Sequence, residues 1–74
     1  MEEYVNDGET SSGTYLYEDD LQIVTSGGTA NFTRVSSGGS QIVSDGGSAA
    51  STYVYSGGEQ HVLSGGSASF TLKL

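Results

Sequence analysis

With 74 residues, no cysteine and no proline, the chain excludes a disulfide framework and a thiolate metal site, and leaves little room for a substrate cavity beside its core. Nine acidic residues against Arg34 and Lys73 give a formal net charge of −7, which argues against direct binding to nucleic acid and for a basic partner. No stretch approaches the length of an apolar membrane span, so no membrane contact is expected.

In chain order, Met1-Glu2-Glu3-Tyr4-Val5 is acidic and lacks the basic start and apolar run of a signal peptide. Taken as a natural start, it places the protein in the cytoplasm. From there glycine sets the rhythm. Gly-Gly pairs stand at Gly27-Gly28, Gly38-Gly39, Gly46-Gly47, Gly57-Gly58 and Gly65-Gly66, in alternating steps of 11 and 8. The resulting 19-residue period divides the chain into a leading half-coil (1–7), three full repeats (8–26, 27–45 and 46–64) and a terminal half-coil or cap (65–74). One domain is expected over 1–74. A flexible Gly/Ser segment is the alternative, and five pairs in strict alternation argue against it.

Within the repeats Thr14, Thr33, Thr52 and Thr71 align, as do Leu16, Val35 and Val54. In the other half-unit Gln22, Gln41 and Gln60 align, each followed two residues on by Val24, Val43 or Val62. These short alternating segments, rich in Thr, Val, Ile and Tyr, read as strands, and Gly-Gly supplies the corners between them. The expected fold is all-β: a short β-solenoid of about three and a half coils, each with two strands and two turns. Like residues stack roughly 4.8 Å apart, Val and Ala pointing inward, Thr and Gln forming ladders along the axis.

The pattern SGG-x-A-x-x-T-x-V-x-SGG-x-Q-x-V-x-SGG, carried by Ser26-Gly27-Gly28 through Ser56-Gly57-Gly58 and on to Ser64-Gly65-Gly66, is similar to the strand-loop-strand repeat of bacterial autotransporter passenger domains, as in AIDA-type adhesins. The resemblance implies a right-handed solenoid and, by analogy, a secreted surface adhesin. Glu18-Asp19-Asp20 departs from it, standing where the repeat has Ser-Gly-Gly.

That departure marks the charge as the second informative feature. Seven of the nine acids fall in the first 20 residues, and Asp7 and Asp45 occupy equivalent positions two repeats apart. Carboxylates on a rigid rod can solubilise an exposed end, or can imitate the phosphates of a nucleic acid inside a Lys/Arg groove. Size and charge, though no motif, resemble phage-encoded inhibitors of host defence, including anti-CRISPR proteins that mimic DNA. The leading expectation is therefore a non-enzymatic inhibitor that occupies the nucleic-acid-binding surface of a basic host protein or complex. Its contacts would be Asp7, Glu9, Glu18, Asp19, Asp20 and Asp45, beside an outward face of Tyr15, Tyr17, Tyr53 and Tyr55 with Arg34 between. The alternative is a structural repeat segment of an autotransporter adhesin at the extracellular surface.

Remaining residues offer little chemistry. His61 aligns with Ile23 and Ile42, and with Glu59 alone it makes neither a metal site nor an acid–base pair. No serine has a histidine to activate it, so no catalytic residue, metal or cofactor is expected. In the last strand Lys73 falls at a Val position while Phe70, Leu72 and Leu74 share the opposite parity. A one-residue slip there would make this strand a cap, or the contact of an end-to-end or strand-swapped homodimer through 65–74.

Overall fold

In a computed structural model, which describes residues 2–73, the chain winds into an all-β solenoid in which every strand pairing is parallel. Strands β1 (Glu2–Val5), β4 (Leu21–Val24), β7 (Ser40–Val43) and β9 (Glu59–Val62) stack as one sheet. The remaining strands are β2 (Thr10–Ser12), β3 (Tyr15–Leu16), β5 (Thr29–Asn31), β6 (Arg34–Val35), β8 (Ser48–Val54) and β10 (Ser67–Lys73). They stack as a second sheet folded along its length. The register is 19 residues throughout: Val5 pairs Val24, Val24 pairs Val43 and Val43 pairs Val62.

Each coil has three sides, where two were expected. Besides the two Gly-Gly corners, the chain bends at Gly13, Phe32, Ser51 and Phe70, all with left-handed φ between 53° and 73°. This bend splits the second side into β2 and β3, then β5 and β6, while β8 and β10 run through it. Left-handed φ at bends and corners reverses the amide direction. Strand-end residues donate to the preceding coil, as Thr25 N–H does to Val5 C=O at 2.9 Å. Corner and bend residues donate to the next coil: Gly27 N–H to Gly46 C=O at 3.0 Å, and Phe32 N–H to Ala50 C=O at 3.0 Å.

The interior is divided by a polar wall. Val5, Val24 and Val43 with Ala30 and Ala49 form one apolar cluster, and Leu16, Val35 and Val54 form the other. Between them lie Gln22, Gln41, Thr33 and Thr52, all fully buried. Gln41 Nε2 donates to Gln22 Oε1 and Gln60 Nε2 to Gln41 Oε1, each at 2.6 Å. The glutamine ladder forms as expected. The threonines do not pair with one another; three reach across the coil to a glutamine, Thr33 to Gln22, Thr52 to Gln41 and Thr71 to Gln60, and Thr14 pairs with Ser11. Burial of these amides is tolerable because no buried side-chain polar atom among the described residues lacks a partner.

The expected slip of the last strand does not occur. Thr71 pairs Thr52, Leu72 pairs Tyr53 and Lys73 pairs Val54, so β10 keeps the register of β8. Phe70 occupies the same left-handed bend as Phe32 (φ 57° and 53°), and this resets the side-chain parity that a straight strand would carry past it. The strand-swapped homodimer rested on that slip and loses its basis. Leu74 lies outside the described residues.

Candidate functional site

The acids named from the sequence sit on two different corners. Asp7, with Ser26, Asp45 and Ser64, lies on the corner between the first sheet and β2 or its equivalents; Glu18, with Ser37 and Ser56, lies on the corner after β3 or its equivalents. Apart from Asp20, which is half-buried, these acids are exposed, and so is Glu9. Glu18-Asp19-Asp20 keeps the turn that Ser-Gly-Gly makes elsewhere. Asp19 takes φ 67° where Gly38 has 85°, a conformation the short polar side chain of Asp tolerates better than most. Its N–H donates to Gly38 C=O at 3.2 Å. Asp20 closes the turn twice: its N–H donates to Tyr17 C=O at 2.9 Å, and its Oδ2 accepts from Tyr17 N–H at 3.0 Å. The Tyr17 amide holds the Asp20 carboxyl below its ordinary pKa of 3.8. On the other corner Glu9 repeats the device, Oε1 accepting from Asn6 N–H at 2.9 Å.

The tyrosine face is assembled as the alignment suggests. Register places Arg34 between Tyr15 and Tyr53 on the outer side of β3, β6 and β8. Arg34 Nη1 donates to Tyr15 Oη at 2.7 Å, and its guanidinium lies 5.2 Å from the Tyr15 ring centre and 6.0 Å from that of Tyr53. Tyr17 stacks beside Tyr15 at 6.2 Å. Tyr15 and Tyr17 are exposed; Tyr53 and Tyr55 are half-buried. Gly13, Tyr15, Phe32, Arg34 and Tyr53 enclose a shallow groove of about 150 Å³.

Phe32 lines that groove and Phe70 repeats its bend two coils on; the sequence reading gave Phe32 no role in this face and took Phe70 only as part of the last strand. They are 62% and 73% exposed, in a backbone conformation unfavourable for a bulky residue. The signal available was their column, which reads Gly13, Phe32, Ser51, Phe70: a glycine aligned with a small residue and two aromatics. His61 is exposed on the outer face of β9, 3.1 Å from Glu59, and its column-mates Ile23 and Ile42 are half-buried.

Comparison with known proteins gives a matching family model and matching solved structures. A family model described as "AIDA: Adhesin of bacterial autotransporter system, probable stalk" matches residues 25–73. Among solved structures, the crystal structure of the TibC-catalysed hyper-glycosylated TibA55-350 fragment superposes with a TM-score of 0.88 at 36% identity. That match covers 99% of this chain and 30% of the TibA fragment, so this chain spans about a third of the length of its structural relative. No curated protein matches the chain.

Two expectations are corrected by these matches. A DNA-mimicking inhibitor of the anti-CRISPR kind finds no support; the family model and the TibA structure both point to autotransporter adhesins. The basic, nucleic-acid-binding host partner falls with it, and the acids assigned to that contact are divided between two corners. The autotransporter alternative is the one that stands. The chain belongs to the AIDA family of bacterial autotransporter adhesins, in the part of the family described as a probable stalk.

Proposed function

We propose that this chain is a segment of an adhesin stalk, displayed at the extracellular surface, that acts as a stiff spacer and not as an enzyme. The observation that carries this reading is the unbroken 19-residue register from Glu2 to Lys73, in which backbone hydrogen bonds join each coil to the next at strands, corners and bend. A rod so cross-bonded holds whatever lies beyond it at a fixed distance from its base. Tyr15, Tyr17, Tyr53 and Tyr55 with Arg34 form the lateral face a partner would meet. Antibody raised against residues 2–73 is expected to label intact source cells. Labelling only after permeabilisation overturns the reading.

The glycosylation of the TibA fragment extends to this chain as part of the same proposal. Exposed hydroxyls of Ser26 and Ser64 line one corner and those of Ser37 and Ser56 the other, within reach of a glycosyltransferase. Intact mass after co-expression with TibC is expected to rise in whole sugar increments. An unchanged mass removes this extension and leaves the stalk reading standing.

A further inference from the structure

The two ends of this solenoid are chemically different. In the inner coils the second glycine of each corner lies under the carbonyl of the preceding coil. A Cβ on Gly39 would come within 2.7 Å of Leu16 C=O, on Gly47 within 2.5 Å of Val24 C=O, and on Gly58 within 2.7 Å of Val35 C=O; one on Gly28 would collide with Val5 C=O. In the first coil the same corner position carries Glu9 and Asp20.

Those carboxylates also do the work of the carbonyls whose place they exclude. Thr25, Ser36, Ser44 and Tyr55 each donate N–H to the coil below, to Val5, Leu16, Val24 and Val35 C=O at 2.7–2.9 Å. Their equivalents in the first coil are Asn6 and Tyr17, whose N–H groups donate instead to Glu9 Oε1 and Asp20 Oδ2. A backbone donor that would be left over is satisfied by a side chain of its own turn, as a cap satisfies the first turn of a helix.

The polar wall ends the same way. Each glutamine donates Nε2 downward to the oxygen of the previous rung. The lowest rung, where the column calls for Gln, is Glu3, whose Oε1 accepts from Gln22 Nε2 at 2.7 Å and whose two oxygens also face Ser11 Oγ at 3.2 and 3.3 Å. A carboxylate accepts and has no N–H to pass on. Set on a further rung it would face an amide oxygen, buried and unpaired.

Among the described residues, the opposite end has none of these devices. Gln60 Oε1 accepts from Thr71, whereas Gln41 Oε1 accepts from both Thr52 and Gln60. Val62 is 44% exposed there, whereas Val5 at the first-coil end is 2% exposed.

We infer that the first coil is a built end of the stack, closed by Glu3, Glu9 and Asp20, and that coils of this repeat add only on the β9–β10 face. Whatever polypeptide lies upstream of Glu2, these three side chains leave no place for a coil in the same register. Glu3 terminates the ladder, and Glu9 and Asp20 fill the volume and replace the hydrogen bonds of the missing carbonyls. The first-coil acids are thereby assigned a role that needs no partner.

Three chimaeras test this. In the first, a copy of residues 22–40 is joined directly ahead of Glu3, which supplies a coil in register below. The second is the same chain with Glu3→Gln, Glu9→Gly and Asp20→Gly. In the third, a copy of residues 55–73 follows Lys73. Amide hydrogen exchange reads whether each added coil is hydrogen-bonded. The copy after Lys73 is expected to be protected about a hundredfold or more over an unfolded chain, and the copy ahead of Glu3 to exchange freely. The triple substitution is expected to bring the upstream copy to the same protection. The substitutions should act in the opposite direction in the original chain, where Glu9→Gly and Asp20→Gly lower the urea midpoint. Protection of the upstream copy without the substitutions overturns the inference, as does its failure to gain protection with them, or free exchange of the copy after Lys73.

Discussion

At the scale of the residue, the buried glutamines carry the sharpest consequences. Gln41 is bonded to Gln22, Gln60 and Thr52 through one side chain, with no solvent to substitute for any of them. Replacing it with leucine keeps the volume but takes the acceptor from the buried Thr52 hydroxyl and from Gln60 Nε2, and leaves Gln22 Oε1 with Thr33 alone. The expected loss is about 2–4 kcal/mol in urea unfolding, since each orphaned buried group costs about 1–3 kcal/mol. Asp20 gives a pH-dependent counterpart. Its carboxyl pKa is held below 3.8 by the Tyr17 amide, so its contribution is complete above that value and is lost as pH falls through the lower, folded-state pKa. The Asp20 carboxyl carbon, followed by NMR, is expected to titrate with a midpoint below 3.8; a midpoint at or above it would mean that the Tyr17 bond is not formed in solution.

Among elements, corners and bends differ in how plainly the sequence announces them. The Gly-Gly corners are visible because the second glycine has no alternative in an inner coil. Gly39→Ala forces a Cβ against Leu16 C=O and is expected to cost about 2–3 kcal/mol, in the range of strained or overpacked core substitutions. The third bend is hidden because its one requirement, a positive φ, is met by four residues that share no side-chain property. Three of them, Phe32, Ser51 and Phe70, accept strain to meet it. Phe32→Gly is therefore expected to raise stability by up to about 1 kcal/mol, the left-handed penalty of a bulky residue less the added chain entropy of glycine. A thermal unfolding midpoint lower than that of the parent chain would show that Phe32 contributes more through its contacts than it costs in backbone strain. The same hidden bend explains why the final strand read as slipped: parity counted straight through Phe70 gives the wrong face. Likewise the Thr and Gln columns were legible as columns, whereas the Thr–Gln bond joins residues 11 apart that alignment at 19 never sets side by side.

The whole molecule behaves as a short stack with its charge concentrated at one end. Seven acids in the first 20 residues repel one another across the first coil, and only Arg34 and Lys73 offset the nine acids, leaving −7. Raising sodium chloride from about 0.05 to 0.5 M shortens the screening length from roughly 14 Å to 4 Å and is expected to raise the melting temperature. A melting temperature that does not change with salt would show that the acids are already compensated by their own hydrogen bonds. Sequence alone drew attention to this acidic end for the right reason, that the repeat is broken there. It assigned the break to a partner because the geometry beneath Glu9 and Asp20 is invisible without the coils above them for comparison.

The glutamine row also has a direction. Every amide in it is oriented alike, oxygen toward Gln60 and N–H toward Glu3, so the individual dipoles add along the axis and polarise one another. The positive end of that row meets the Glu3 carboxylate, as the first turn of an α-helix meets an acidic side chain. Lengthening the stack on the β9–β10 face would lengthen the row of aligned amides behind Glu3. A rod of this kind is electrically polar from end to end, independently of the charges on its surface.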